Sequence, residues 1–263
     1  EYANNTRRRK CVTTQFERQL DILPQSMLVH PVTIIGLGGI GSPTAYCLRK
    51  MGFKHFSLWD YNESDHGILE SHNVPSQHYD QGDVGSPKVF AVKRQLETAL
   101  GGDPCIVETH CTEFTKHESL EGIVIGGVDT MHARQSIWSA VKSSRAFVPL
   151  YVDGRIGVVW DHDTGTVTGE WIQVFSLMPS RLEDREFYEE GYLWDDDYAE
   201  PLRCTAQAVA YISFLVAGFI GAAVRMWATG KPVPRLKTYE CLTADMMTSP
   251  ANWLSLTEGQ SVC

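Results

Sequence analysis

Short apolar runs alternate with amphipathic stretches through the first half of the chain, and glycine or proline punctuates each change of period. Residues 32–37 are apolar up to a glycine, as a strand buried on both faces should be. Residues 41–51 carry a helical pattern that Gly52 stops, and 55–60 form a second strand ending in Asp60. Ser86 and Pro87 supply an N-cap and a first-turn proline for an amphipathic helix over 88–100. Residues 105–109 and 122–128 are two further strands, followed by a helix over 131–142. This rhythm predicts an α/β, Rossmann-like fold: a mostly parallel sheet with helices on both faces.

The second half changes period. Residues 155–175 alternate apolar and polar positions about DHDTG, a hairpin signal that adds an antiparallel extension to the sheet. An acidic, aromatic stretch over 179–203 shows no regular period. Residues 205–227 approach the length that spans a bilayer, but Gln207 and Ser213 interrupt the run and no charge asymmetry flanks it. A buried helix of a large α/β domain is expected there, and no membrane partner. Residues 236–244 read as one more strand. The expected organisation is one continuous domain in three parts: an N-terminal helix over 1–30, a nucleotide-binding half over 31–150, and an extension over 151–263 holding the hairpin, a crossover loop and the long helix.

Candidate chemistry gathers at the first strand–helix junction. Gly36, Gly38 and Gly41 satisfy G-x-G-x-x-G, with Gly39 beside them, between a strand and a helix. Glycines let backbone N–H groups approach phosphate oxygens, and the helix N-terminus adds its positive dipole end. Asp60 at the tip of the next strand is placed to accept from ribose hydroxyls. These features mark a nucleotide site and leave NAD and ATP equally open.

Composition narrows the partners. The 263 residues carry a net charge of −9, which argues against wholesale nucleic-acid binding; RRRK at 7–10 reads as a solvated tail. The seven cysteines are odd in number, form no CxxC pair and follow no signal peptide, a pattern of reduced thiols in the cytoplasm that predicts no zinc.

Residues outside the loop discriminate further: FERQLDIL at 16–23, HNVPSQ at 72–77, GSPK at 85–88 and DTMHAR at 129–134. With the glycine loop, these segments resemble the ThiF/MoeB and ubiquitin-activating enzyme family in order and spacing from about residue 16 to 134, and more loosely to 227. The resemblance implies an adenylyltransferase that uses ATP and Mg²⁺ to activate the C-terminal glycine of a ubiquitin-like or sulphur-carrier protein. It implies a homodimer, with the N-terminal segment at the dimer and partner site and Arg18 reaching in trans to the other subunit's ATP. Asn73 and Gln77 are similar to phosphate-side contacts, Lys88 to the lysine on the phosphates, Asp129 to the acid holding Mg²⁺, and Arg134 to the arginine that buttresses that acid. The chemistry agrees. An anionic carboxylate attacking an anionic α-phosphorus needs a cation, a lysine and an arginine to cancel repulsion, and needs no general base. Lys88 in the first turn of a helix has the wrong sign for the dipole there, which a ligand would explain.

The pattern has departures. Ser76 stands where the family often has an arginine, so Arg155 is a candidate substitute. An insertion-like stretch at 62–69 leaves Asp65 as a second candidate for the ribose, although Asp60 directly ends its strand. The paired CxxC zinc ligands of many sulphur-carrier activators are absent. Cys204, beside Arg203 and followed by Thr205, resembles the cysteine on which ubiquitin-activating enzymes form a thioester before transfer to a conjugating enzyme; a packing role is the alternative. Acidic residues over 181–201 would steer a basic tail. Cys47 and Cys241 sit in core-like patterns, and no role is read for Cys263. Other readings are adenylation of a peptide or tRNA-linked carboxylate without a thioester, an NAD-dependent Rossmann oxidoreductase, and an inactive dimerisation scaffold.

Overall fold

Strand alternation feeds two separate cores in this computed structural model, which describes residues 15–61, 67–161, 163–194 and 209–249. Strands β1 (Val32–Ile35), β2 (His55–Asp60), β3 (Ile106–Cys111), β4 (Ile123–Gly126) and the start of β5 (Leu150–Asp161) pair in parallel. Strands β6 (Thr166–Leu177), β7 (Leu236–Glu240) and β8 (Met246–Thr248) continue the sheet antiparallel, giving the order β3-β2-β1-β4-β5-β6-β7-β8. The order reverses between β1 and β4, which opens a crevice at their carboxyl ends where ligands of such sheets bind.

Val32 and Ile34 of β1 and Ile123 and Ile125 of β4 face one core, shared with helices α1 (Gly41–Met51), α2 (Lys88–Thr98) and α5 (Ala210–Ala228). Ile35 and Val124 face the other, shared with α3 (Met131–Ser143) and α4 (Leu182–Tyr192). The apolar, mostly parallel reading of the sheet therefore holds, with helices on both faces. Helix α5 is long and apolar enough to cross a membrane by composition, yet its Ile212, Val216, Ile220 and Val224 stripe is fully buried against the sheet core.

Several expectations are corrected. Strand β5 begins at Leu150 rather than at Arg155, because its first residues lie under helices on both faces and carry no alternation. The acidic stretch contains α4, whose buried Asp184 and Tyr188 lie one helical turn apart; its exposed face is too polar for the period to stand out. The expected N-terminal helix is, among the described residues, two 3-10 turns at Glu17–Gln19 and Gln25–Met27. Pro87, not Ser86, takes the N-cap position of α2, since the carbonyl of Ser86 pairs with the Leu69 amide. Strand β8 was not foreseen. Cys204, Asp65, Cys263 and the basic run at 7–10 lie outside the described residues.

Candidate nucleotide site at the carboxyl edge of the sheet

Each glycine of the loop has a separate physical reason. Gly36 adopts φ +86°, and a Cβ there would come within 2.8 Å of the Gly127 carbonyl oxygen. A Cβ on Gly41 would fall 1.9 Å from the carbonyl oxygen of Gly36, so strand and helix can close only around glycine. Gly38 has nothing within 4 Å of its missing Cβ, which leaves that part of the loop open to a ligand.

Neighbouring side chains pin the loop from both sides. The Leu37 amide donates to Asp60 Oδ2 at 2.6 Å, and the Tyr79 hydroxyl donates to the Leu37 carbonyl at 2.6 Å. Ser42 Oγ donates to the Gly38 carbonyl at 2.8 Å and accepts from the His78 amide at 3.1 Å. Ser213 on α5 donates to the Ser76 carbonyl at 2.7 Å and sits against Gly39. Tyr79 and Ser213 were not read as site residues. The only sequence signal for Ser213 was a polar break inside an apolar run.

Asp60 collects the charges of the site. Its second oxygen accepts from the Tyr61 amide at 2.8 Å. Burial pushes its carboxyl above the ordinary carboxylate range; the charge of Lys88 and the two amide bonds pull against that rise, and Asp129 adds to it. Lys88, itself buried in the first turn of α2, and Asp129, exposed beyond β4, are therefore near enough to act on one carboxylate. Asp129 precedes Thr130, whose hydroxyl caps α3 by accepting from the Ala133 amide at 3.2 Å, so the positive end of that helix also faces the cleft.

Arg134 meets the peptide that precedes Asp129. Its guanidinium donates to the Val128 carbonyl immediately before Asp129, to the Gly154 carbonyl at 3.2 Å and to the carboxylate of Asp153. Asp153 is fully buried and also accepts from Arg155 Nε at 2.7 Å and from the Tyr188 hydroxyl at 2.8 Å. Arg155 continues to the Tyr192 carbonyl at 3.0 Å and lies over the Phe175 ring, its Cζ 4.5 Å from the centroid. Arg155 is thus buried in this cluster. Asp153 and Tyr188 were missed, although Asp153 and Arg155 two apart on a strand share one face and so signal a buried pair.

Beside Gly36 and Asp60, a cleft is lined by Trp59, Tyr61, Thr112, Phe114, Val128 and Ile137. Trp59 stacks on His110 with centroids 3.8 Å apart and meets Phe114 edge-on. These walls are largely apolar and lie next to the Asp60 carboxylate. Among the described residues no group of three or more His, Cys, Asp or Glu could hold a metal. One exposed carboxylate, Asp129, fits Mg²⁺, which is commonly held by one or two carboxylates together with substrate phosphates and water.

The remaining sequence candidates divide. Asn73 is buried, and its Oδ1 accepts from the Glu70 amide at 2.9 Å while its carbonyl accepts the Gln77 amide at 2.9 Å, so it shapes the 70–77 turn. Gln77 keeps a buried Oε1 without a partner among the described residues, a polar group still to be satisfied. Arg18 does not meet the loop of its own chain. It is exposed on a 3-10 turn whose Gln19 donates to the Lys50 carbonyl at 3.1 Å, at the far end of α1. A helix of 11 residues separates that end from the glycine loop, a rise of about 16 Å. Cys47 and Cys241 are half-buried free thiols, and burial raises both.

The family profile described as the ThiF family matches residues 24–254. No curated protein matches the chain. Among solved structures, E. coli MccB with ATP superposes with a TM-score of 0.66 at 18% identity, covering 91% of this chain and 72% of MccB. E. coli MccB with AMPCPP and MccA gives 0.65 at 17% identity, covering 90% of this chain and 71% of that one. PaaA gives 0.61 at 19% identity over 86% of this chain, which spans only 66% of PaaA. At such identities the likeness is one of fold.

Proposed function

The chain belongs to the ThiF family, and on that premise we propose that it is an ATP-dependent adenylyltransferase acting on the C-terminal carboxylate of a peptide or small protein. The observation that carries the reading is the glycine loop, left open at Gly38 and pinned to Asp60 through the Leu37 amide, with Lys88 opening α2 and Asp129 exposed just beyond β4. In this reading the carboxylate attacks the α-phosphorus of ATP, the bond to the β,γ-phosphates breaks, and acyl-adenylate and pyrophosphate result. The loop amides and Lys88 neutralise phosphate charge, Asp60 holds the ribose, and the side-chain N–H of Gln77 donates to a phosphate oxygen. Asp129 would hold Mg²⁺, which supplies further charge cancellation when bound. Arg18, remote from its own loop, acts on the site of a second copy in a homodimer.

A ubiquitin-like or sulphur-carrier protein ending in glycine is the finer reading of the substrate, with a thioester on Cys204 and transfer to a conjugating enzyme as its continuation. A shorter peptide is the second reading, supported by the likeness to MccB, which has been solved with MccA.

The test is ATP–pyrophosphate exchange with glycine-ended ubiquitin-like proteins and with peptides, followed by intact-mass spectrometry. Exchange that depends on a carboxylate-bearing partner supports adenylation, and an adduct cleaved by thiol and absent from Cys204→Ala supports the thioester. Absence of exchange with both partner classes overturns the reading.

A further inference from the structure

Asp153 holds two arginines with one carboxylate, and one of those arginines ends on the peptide that carries Asp129. We propose that Asp153 is a positioning residue for Asp129: by gripping Arg134 it fixes the Val128 carbonyl and so aims the acid that would hold Mg²⁺. This rests on the adenylation reading above.

The backbone supplies the need for such a device. Strand β4 ends in Gly126 and continues through Gly127, whose amide donates to the Ile35 carbonyl at 2.8 Å; the chain is next fixed at the Thr130 cap of α3, and between those points Arg134 holds the Val128 carbonyl. Gly126 is also the residue that lets the strand end lie over the cluster, since a Cβ there would come 2.9 Å from the Tyr151 hydroxyl and 3.5 Å from Asp153 Oδ1. Arg134 then ties the Val128 carbonyl, just beyond β4, to the Gly154 carbonyl within neighbouring β5.

A cluster serving stability alone would not need this composition. Two buried guanidiniums on one buried carboxylate leave an excess positive charge, and apolar residues of similar volume are commonly as stable or more so. Arg155 and Tyr188 act from the other side. Their bonds occupy Oδ2 of Asp153 and leave Oδ1 to Arg134. Arg155 is itself clamped by the Tyr192 carbonyl and the Phe175 ring, so the carboxylate cannot turn away from Arg134. The path is short: Asp153, Arg134, Val128 carbonyl, Asp129.

The experiment measures Mn²⁺ binding by electron paramagnetic resonance in the presence of a non-hydrolysable ATP analogue, with binding of the analogue alone read from tryptophan fluorescence. Asp153→Asn removes the charged acceptor. Asp153→Asn/Arg155→Gln does so with the charge rebalanced, which keeps a folded protein in hand. Tyr188→Phe removes its own bond to Oδ2 and the bond its hydroxyl accepts from Arg155 at 3.2 Å, and leaves Arg134 on Oδ1. The expected result is analogue affinity within about twofold of the parent for all three. Mn²⁺ affinity should fall about tenfold or more in the two Asp153 variants and by a smaller factor in Tyr188→Phe, which keeps Arg134 on Oδ1. Equal Mn²⁺ affinity in the parent and the folded Asp153 variants overturns the positioning role while leaving the adenylation reading standing. A parent protein that binds neither analogue nor Mn²⁺ overturns both.

Discussion

The Leu37 amide donates to Asp60 Oδ2 at 2.6 Å, so the acid that reads as a ribose ligand also anchors the glycine loop to β2. Each oxygen of Asp60 takes one backbone amide and keeps a lone pair for a sugar hydroxyl. Asp60→Asn should preserve one of the amide bonds and lose the charge. The expected outcome is a KM for ATP raised about tenfold, the size of one charge-assisted hydrogen bond, with a smaller change in kcat. Steady-state pyrophosphate-exchange kinetics check it.

The same residue has a pH consequence. Its folded-state pKa is raised, chiefly by burial, above the unfolded value near 4. Between those two values the folded protein holds more protons than the unfolded chain, so this group makes stability fall as pH rises through the window. Asp60→Asn removes that contribution. Urea denaturation at a series of pH values from 4 to 7 should show the stability difference between variant and parent moving in the variant's favour toward the neutral end.

Gly41 and Gly38 separate folding from binding within one motif. At Gly41 an alanine Cβ meets the Gly36 carbonyl at 1.9 Å, and the backbone must move. Gly41→Ala should destabilise by an amount near the top of the about 1–3 kcal/mol range for overpacking, seen as a lower Tm without ligand. Gly38→Ala meets nothing within 4 Å and should leave the ligand-free Tm within about 2 °C of the parent. Its cost should appear as weaker ATP binding in a titration, because the added methyl occupies the space of the phosphates.

What the sequence made legible follows from how local each signal is. The glycine loop, β1, α1 and Asp60 lie within 29 consecutive residues, and their period and punctuation encode them directly. Lys88 and Asp129 were legible because Lys88 opens a recognisable helix and Asp129 lies in the short turn between a strand and the next helix. Asp153 and Tyr188 lie 35 positions apart and meet only through the packing of α4 on β5, which no local period records. The N-terminal segment misled for a related reason. Its apolar residues suit a helix, but 3-10 turns let Gln19 and Gln25 reach the last carbonyls of α1 at Lys50 and Met51.

Lys88 should dominate the chemical step. It is buried, and its charge already acts on Asp60 without a ligand. Lys88→Met keeps the length of the side chain and removes the charge. Exchange should fall on the order of 10²–10³, as for loss of one preorganised donor to transition-state charge. Calorimetric affinity for the ATP analogue should fall by much less. A loss in affinity equal to the loss in rate would place Lys88 in ground-state binding only.

Arg49 and Asp103, absent from every sequence expectation, hold the far side of the nucleotide half together. Arg49 is fully buried and satisfies its fork on the Leu96 carbonyl at 3.1 Å, the Phe53 carbonyl at 3.3 Å, and Asp103 through both its carboxylate at 2.8 Å and its carbonyl at 2.6 Å. That ties the ends of α1 and α2 to the turn before β3. Burial would raise the Asp103 carboxyl, but the bonds from Lys54 and Arg49 outweigh it and hold it below its ordinary range. A depressed carboxyl stabilises the fold above its unfolded pKa near 4, and that contribution disappears as pH falls through the lower folded value. Asp103→Ala leaves the Arg49 charge buried with only carbonyl partners and should cost about 3–5 kcal/mol at neutral pH. For a chain of this size that is a Tm lower by on the order of 10 °C. The gap between parent and variant should narrow as the pH is lowered below 4, because the parent then protonates Asp103 and loses the same ion pair. A gap independent of pH would mean that the backbone contacts, and not the carboxylate, hold Arg49 in place.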